Sequence, residues 1–286
     1  IVNGLVGSEM CIRDRCPCRR IDRIRQSTSS TTNPSTTQRK MNILQQIVND
    51  IQKDLELKKQ IVPIDRLESS PLFERQTNSL RQHIVETEGI IAEHKRRSPS
   101  KPNINFGLRL ADVAQGYTSA GVAGMSVLTN NQYFGGSLED LLLARQACEL
   151  PLLRKEFMVD EYQVLEAKAN GADAILLISA CLERQDIQTL SELAQQLGME
   201  VLLEVHNADE LEKSIMPSID MIGVNNRDLT SFHVNLETSK SLIDEIPTEF
   251  VKLSESGLSS PESILELRDY GYQGFLMGEH FMKTDD

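Results

Sequence analysis

Five short apolar runs in this sequence end in residues whose side chains can exchange protons or hold an anion. The runs and the residues that follow them are 89–92 before Glu93 and Lys95, 152–154 before Lys155, 201–203 before Glu204, 221–224 before Asn225 and Arg227, and 251–253 before Glu255 and Ser256. Buried parallel strands present reactive side chains at their carboxyl ends in this way. Ammonium and carboxylate groups in a partly dry pocket shift each other's pKa values and provide a general acid beside a general base. The pattern predicts proton-transfer chemistry.

These residues belong to a regular alternation of short apolar runs with amphipathic stretches. We predict eight strands, near 89–96, 124–129, 151–157, 172–179, 200–206, 221–225, 250–255 and 274–278. Helical periodicity separates several of them, at 137–148, 161–170, 183–197 and 261–270. Eight βα repeats with right-handed crossovers predict an α/β fold, a (β/α)8 TIM barrel whose strand ends converge on one pocket. A doubly wound sheet is the alternative, but neither GxGxxG nor GxxxxGK[ST] follows the first strand.

Two further segments precede the first strand. Apolar residues at helical spacing after Met41 predict an amphipathic helix, and a second helical stretch runs to about His83. We therefore predict a barrel domain over 41–286 with a helical extension over 41–88. Residues 1–40 are rich in Arg, Ser and Thr, which predicts disorder. They suit a transit peptide in composition, but IVNGLVGSEMCIRDR looks like translated adapter sequence, so we interpret this head as an artefact and expect the protein to start at Met41.

Composition narrows the class of partner. The formal charge is −12 although residues 1–40 hold eight Lys and Arg against three Asp and Glu, so the body is strongly acidic and lacks the basic stripe that nucleic acid requires. No apolar run approaches the about 18 residues of a membrane span. Cysteines without a disulfide framework fit a reducing compartment, and we expect a cytoplasmic location. Neither Cys16-Pro17-Cys18 nor the five histidines have metal-site spacing, so no metal site is predicted.

Six segments carry a family resemblance: AEHKRRSPS, LLRKEF, VLLEVH, IGVNNRDL, LSESGL and LMGEHFM. In order and spacing they resemble indole-3-glycerol-phosphate synthases, and the resemblance covers residues 41–286. It implies a carboxy-lyase of tryptophan biosynthesis that closes the indole ring of 1-(2-carboxyphenylamino)-1-deoxyribulose 5-phosphate with loss of carbon dioxide and water. It implies a small phosphorylated substrate, no metal or organic cofactor, and the option of association or fusion with other tryptophan-pathway enzymes.

The resemblance also implies catalytic roles. Lys155 would be the general acid that protonates the ribulose carbonyl oxygen, and Glu204 would be the general base of the later dehydration. Lys95 would hold the substrate carboxylate and assist departure of the hydroxyl. Glu93 and Asn225 would orient these groups.

Other residues are expected to bind the substrate. A phosphate site is expected in the loops after strands seven and eight, where Ser256, Gly257, Gly278 and Glu279 supply backbone N–H groups and the Glu279 carboxylate points elsewhere. Glu255 is expected to face the substrate or to pair with Lys95 or Lys155. By resemblance, Ser98 and a cation from Lys95 or Arg227 complete the phosphate site, and the anthranilate ring lies between apolar walls formed by Phe134, Phe157, Leu229 and Leu276.

The sequence departs from the family in one respect, because no eighth barrel helix follows the last strand before Asp286. Two other functions remain open. Another phosphosugar barrel, such as a phosphoribosylanthranilate isomerase, would favour a Cys and Asp pair over the Lys and Glu set found here. A barrel that binds a phosphorylated aromatic without turnover is suggested only by the missing helix, and the presence of Lys155 and Glu204 argues against it.

Overall fold

Eight parallel strands pair in chain order and close on themselves, since the first strand hydrogen-bonds to both the second and the eighth. The computed structural model describes residues 42–229 and 231–283, so the predicted disordered head lies outside the described residues. The strands are β1 Ile90–His94, β2 Gly124–Leu128, β3 Leu152–Lys155, β4 Ala174–Ile178, β5 Glu200–Val205, β6 Met221–Asn225, β7 Val251–Glu255 and β8 Gly274–Met277. The predicted (β/α)8 barrel is confirmed, and the doubly wound alternative is wrong.

Helices precede the barrel and alternate with its strands. They are α1 Ile43–Ile61, α2 Ile64–Glu68, α3 Leu80–Glu86, α4 Leu110–Ser119, α5 Asn131–Phe134, α6 Leu138–Ala147, α7 Glu161–Ala169, α8 Arg184–Gln196, α9 Ala208–Ser214, α10 Glu237–Leu242 and α11 Pro261–Tyr270. After β8 the described chain ends in a 3-10 turn, Phe281–Lys283. None of the described helices has the length and apolar character needed to cross a membrane.

Alternate strand residues face two apolar layers, because successive side chains of a strand point to opposite sides of the sheet. Leu153 and Leu202 belong to a cluster inside the barrel, whereas their neighbours Leu152 and Leu203 belong to the larger cluster between the sheet and the helices. Every second residue after these inner residues also points into the barrel, up to the carboxyl end of each strand. The polar side chains at those ends therefore point into the barrel mouth.

The helical extension covers both ends of the barrel. Leu80 and Ile84 of α3 are fully buried in the inner cluster and close the amino end. At the other end, α1 begins at the Asn42 N-cap, and its side chains Ile43, Leu44 and Ile47 line the cavity at the mouth. Leu57 also fits the apolar spacing of α1 in the sequence, but its side chain is 61% exposed. It lies on the opposite face from the stripe that packs on α7.

A buried carboxylate ties the extension to the amino end of the barrel. Asp173 is fully buried and accepts hydrogen bonds from Arg75 Nη2 at 2.5 Å and from Arg145 Nη1 at 2.9 Å. The backbone N–H groups of Asn78 and Leu152 also donate to it, each over 2.8 Å. Because a buried charge is costly unless it is paired and hydrogen-bonded, these four donors make Asp173 the anchor of this end.

Candidate active site

A cavity of about 530 Å³ opens at the carboxyl ends of the strands. Every residue predicted for the site lines it except Asn225, which lies against Glu204. The predicted residues around the cavity are Glu93, Lys95, Ser98, Phe134, Lys155, Phe157, Glu204, Arg227, Leu229, Glu255, Ser256, Gly257, Leu276, Gly278 and Glu279. The barrel thus brings together side chains that are up to 186 positions apart in the chain.

Lys155, the last residue of β3, lies among carboxylates. Its Nζ forms an ion pair with Glu255 Oε2 and lies 3.4 Å from Glu204 Oε2, and its side chain is 12% exposed. Burial alone would lower the pKa of Lys155, but the charges of Glu255, Glu204 and Glu93 outweigh burial and raise this pKa above its ordinary range. Lys155 is therefore an ammonium ion at neutral pH, as a general acid must be.

Glu204 of β5 is held by partners on both oxygens. Asn225 Nδ2 donates to Oε1 at 2.9 Å, Lys155 contacts Oε2, and His206 Nε2 lies 3.6 Å from Oε1. Burial would raise the pKa of Glu204, but the charges of Lys155 and His206 and the Asn225 hydrogen bond lower it below its ordinary value. Glu204 is therefore a carboxylate that can accept a proton.

Glu255, at the end of β7, pairs with Lys155, which is one of the two pairings that the sequence allows. Burial and the nearby Glu204 charge raise its pKa to about 7, against the opposing effect of Lys155. Its Oε1 is buried without a hydrogen-bond partner among the described residues. This oxygen lies close to the backbone of β6, where a Cβ on Gly223 would be 2.3 Å away.

A second ion pair lies at the same mouth. Glu93 at the end of β1 binds Lys95 Nζ through Oε1 at 2.5 Å. Burial would raise the pKa of Glu93, but Lys95 and Lys155 together lower it. Glu93 therefore stays ionised and holds the Lys95 ammonium at the edge of the cavity.

The loop after β7 has an unusual backbone conformation. Ser256 and Gly257 have φ angles of 67° and 79°, and a non-glycine residue in the left-handed region is uncommon. Asn226 holds this turn, since its Nδ2 donates to the carbonyl oxygens of Glu255 at 3.0 Å and Ser256 at 3.2 Å. Sequence reasoning missed Asn226, whose side chain is buried between β6 and the loop. Successive N–H groups in such a turn form the type of concavity that binds anions.

The loop after β8 carries a cluster of opposite charges. The Glu279 carboxylate pairs with Lys101 and with Lys283, the latter at 2.6 Å, and all three residues line the cavity. Burial would raise the pKa of Glu279, but the two lysines lower it to about 2. We expected this carboxylate to repel phosphate and to point elsewhere. Its negative charge is balanced by the ammonium groups of Lys101 and Lys283, which line the cavity. Lys101 was not predicted, although it follows Ser98 closely and exchanges two backbone hydrogen bonds with it.

Apolar side chains form the remaining walls. The rings of Phe134 and Phe157 have centroids 6.1 Å apart and an interplanar angle of 34°. Leu229 and Leu276 line the same cavity, as do Ile43, Leu44 and Ile47 of α1, which the sequence analysis does not identify. Arg227 is anchored at the rim, because its Nη1 donates to the carbonyl oxygen of Phe232 at 3.2 Å. Within 42–229 and 231–283, no three His, Cys, Asp or Glu side chains are grouped as a metal site requires.

Comparisons with known proteins identify the family of this chain and agree with its fold. The sequence profile of the indole-3-glycerol phosphate synthase family matches residues 44–286. The indole-3-glycerol phosphate synthase of Bacteroides thetaiotaomicron is 44% identical over 243 residues, which cover 85% of this chain and 93% of the relative. That of Laribacter hongkongensis is 46% identical over 199 residues, covering 69% and 76% respectively.

Among solved structures, a mutant tryptophan synthase alpha-subunit from Pyrococcus furiosus aligns with a TM-score of 0.53 over 68% of this chain and 89% of that one. At 14% identity this likeness shows the shared barrel fold alone. The family match is much stronger evidence than this structural likeness, because it spans the whole barrel and is supported by relatives above 40% identity. The chain accordingly belongs to the indole-3-glycerol phosphate synthase family, carboxy-lyases of tryptophan biosynthesis that act on a small phosphorylated substrate.

Proposed function

We propose that Lys155 and Glu204 are the acid and the base with which this synthase closes and dehydrates the indole ring. The burial of the Lys155 ammonium among Glu93, Glu204 and Glu255, on the wall of the cavity, supports this assignment most directly. An acid and a base 3.4 Å apart can also exchange a proton between steps.

In the first step, Lys155 donates its proton to the ribulose carbonyl oxygen while the carboxyl-bearing ring carbon attacks the carbonyl carbon. A carbon–carbon bond forms, and the carbonyl π electrons move to the oxygen, which becomes a hydroxyl. The carboxylate then leaves as carbon dioxide, and its bonding electrons restore the aromatic ring. The three carboxylates around Lys155 keep its ammonium form before the transfer.

In the second step, the hydroxyl leaves as water. Lys95 donates a proton to it, and Glu204 removes a proton from the adjacent carbon, so that a double bond completes the indole ring. Glu93 holds Lys95 at 2.5 Å, and the Asn225 amide holds Glu204 at 2.9 Å. These two partners fix the directions in which the proton donor and acceptor can act.

We also propose how the substrate is bound. The phosphate would lie on the backbone N–H groups of Ser256, Gly257, Gly278 and Glu279, with a hydroxyl from Ser98 and a cation from Lys95 or Arg227 nearby. The anthranilate ring would lie between Phe134 and Phe157 on one side and Leu229 and Leu276 on the other. Glu255 would raise the pKa of Lys155 through their ion pair beside the bound substrate.

Turnover by purified residues 41–286 tests this proposal through the fluorescence of the indole product. We expect Lys155→Ala to lower kcat by about 10²-fold to 10⁴-fold, the usual contribution of a general acid, while the affinity for indole-3-glycerol phosphate in calorimetry changes little. Lys53→Ala, at an exposed position of α1, is the matched control. Equal loss of turnover and product affinity in Lys155→Ala would overturn the role. A folded wild-type protein that binds the product but never forms it would favour the binding-only alternative.

Location and association are separate proposals. The two cysteines of the described chain, Cys148 and Cys181, are free thiols, which supports the cytoplasmic location. Cell fractionation with an antibody to the chain tests this. Association or fusion with other tryptophan-pathway enzymes remains a prediction, which co-purification of those activities from the native organism would test.

A further inference from the structure

A buried imidazole nitrogen points at the proposed base from outside the cavity. His206 follows β5, and both its backbone N–H and its Nδ1 meet Glu210 Oε2, at 2.9 Å and 3.1 Å. This double contact fixes the ring so that Nε2 faces Glu204 Oε1 at 3.6 Å. Nε2 is buried and has no hydrogen-bond partner within the described chain. A polar atom left without a partner beside a reacting group requires an explanation.

The number of protons that the proposed reaction uses supplies an explanation for this unpartnered nitrogen. With the substrate carboxylate ionised, Lys155 and Lys95 each give up one proton, and Glu204 recovers one. Each turnover therefore consumes one proton from outside the cavity. Lys95, whose side chain is 20% exposed at the edge of the cavity, can take this proton from water. Lys155 is more deeply buried and loses its proton in the first step, before the dehydration gives Glu204 a proton that it could return over 3.4 Å.

We propose that His206, held by Glu210, is a proton reservoir that returns a proton to Lys155 through Glu204 between the two steps of the reaction. Glu210, His206, Glu204 and Lys155 form a continuous row with separations of 3.1, 3.6 and 3.4 Å. The imidazolium gives its Nε2 proton to Glu204 Oε1, and Glu204 passes a proton from Oε2 to the neutral Lys155 amine. Glu204 is then a carboxylate again and Lys155 is an ammonium ion. The proton that Glu204 removes in the dehydration afterwards returns to the neutral ring of His206. His206 acts through Glu204 and does not line the substrate cavity.

The groups around His206 favour its charged form. Glu204 of β5, Glu210 of α9 and Glu255 of β7 face it, and Cys181 of the 3-10 turn Ser179–Cys181 lies near the first two. Burial would lower the pKa of His206, but the hydrogen bond to Glu210 and the three carboxylate charges raise it. Burial and the charges of Glu204 and Glu210 raise the pKa of Cys181 to about 12, so its thiol adds no charge near neutral pH. His206 therefore carries the extra proton below its raised pKa and loses it as pH rises through this pKa.

The pH dependence of turnover tests the reservoir. We expect His206→Gln and His206→Ala to lower kcat about tenfold in the pH range just below the raised pKa, where the wild-type ring is charged, with KM within about twofold. The loss should shrink at acidic pH, where solvent protons are abundant, and at alkaline pH, where the wild-type ring has also lost its proton. Added imidazole should restore turnover in His206→Ala. His83→Gln, on α3 at the opposite end of the barrel, is the control.

Because the reservoir presupposes the reaction proposed above, wild-type turnover must be established first, and its absence would overturn that reaction. Circular dichroism and thermal unfolding verify that each variant is folded. If the wild type turns over while folded His206 variants keep its kcat and pH profile, the reservoir alone is wrong. A loss of kcat that is equal at every pH and is not rescued by imidazole would also overturn it, because a merely structural role predicts that result.

Discussion

The Tyr133 hydroxyl donates a hydrogen bond to Asp50 Oδ2 at 2.7 Å, and this contact joins two segments that both line the cavity. Asp50 lies one helical turn after Ile47 on α1, and Tyr133 precedes Phe134. Burial and the Asp50 charge raise the pKa of Tyr133 to about 12, so the hydroxyl keeps its proton throughout the neutral range. The contact couples the helical extension to the proposed aromatic wall.

Removing this hydroxyl should weaken substrate binding. Tyr133→Phe leaves the ring in place but releases α1, and the lost hydrogen bond of about 1 kcal/mol should raise KM about fivefold with little change in kcat. Steady-state kinetics measure both constants. Tyr270→Phe, on the exposed side of α11, should change neither. An unchanged KM in Tyr133→Phe would show that the contact does not support binding.

A methyl group on β6 should disturb the Lys155 site without touching Lys155. In Gly223→Ala the new Cβ would lie 2.3 Å from Glu255 Oε1 and would push this carboxylate away from the ammonium. We expect kcat to fall by at least about tenfold, as for misplacement of a general acid's partner. Gly116→Ala on α4 is the matched control, since its Cβ meets no atom within 4 Å. Equal kcat values for the two variants would mean that Glu255 has no influence on Lys155.

The carboxylate at the amino end should contribute stability and not catalysis. Asp173→Ala leaves Arg145, which is 3% exposed, as a buried charge without its main partner, and should lower the free energy of unfolding by about 3–5 kcal/mol. The remaining folded protein should have normal kcat. Urea unfolding measures the loss, and Asp112→Ala, whose ion pair with Arg109 is exposed, should cost less than about 0.5 kcal/mol. A loss in Asp173→Ala as small as in this control would contradict the anchoring role.

The charge cluster after β8 should give a pH-dependent contribution to stability. The pKa of Glu279 is lowered from 4.5 to about 2, so its contribution is present above pH 4.5 and is lost as pH falls toward 2. The difference in unfolding free energy between wild type and Glu279→Gln should therefore be largest near neutral pH and shrink below pH 4.5. Denaturant titrations at several pH values measure it. A difference that stays constant with pH would show that the ion pairs with Lys101 and Lys283 contribute nothing.

Sequence periodicity predicted the strands well because each strand of a closed parallel barrel is buried on both faces and forms a compact apolar run. The same rule placed Glu93, Lys155, Glu204 and Glu255 at one mouth. The comparisons confirmed the predicted family of the chain, whereas the individual roles of these four residues remain predictions.

Other residues escaped prediction because their environment depends on tertiary packing. Ile43 and Ile47 have the spacing of any amphipathic helix, and nothing local indicates that this helix lies over the barrel mouth. Asn226 looks like a repeat of Asn225, yet strand alternation turns it outward, where it holds the Ser256 turn. The His206 ring is oriented by Glu210, which lies on the helix that follows.

The separation between the Asp173 anchor and the barrel mouth has a consequence for how this protein can evolve. Asp173, Arg75 and Arg145 hold the amino end, and none of them lines the cavity. Substitutions around the mouth can therefore accumulate while the anchor preserves the folded state. Such a division allows substrate preference to drift, or to be redesigned, on a scaffold whose integrity is secured elsewhere.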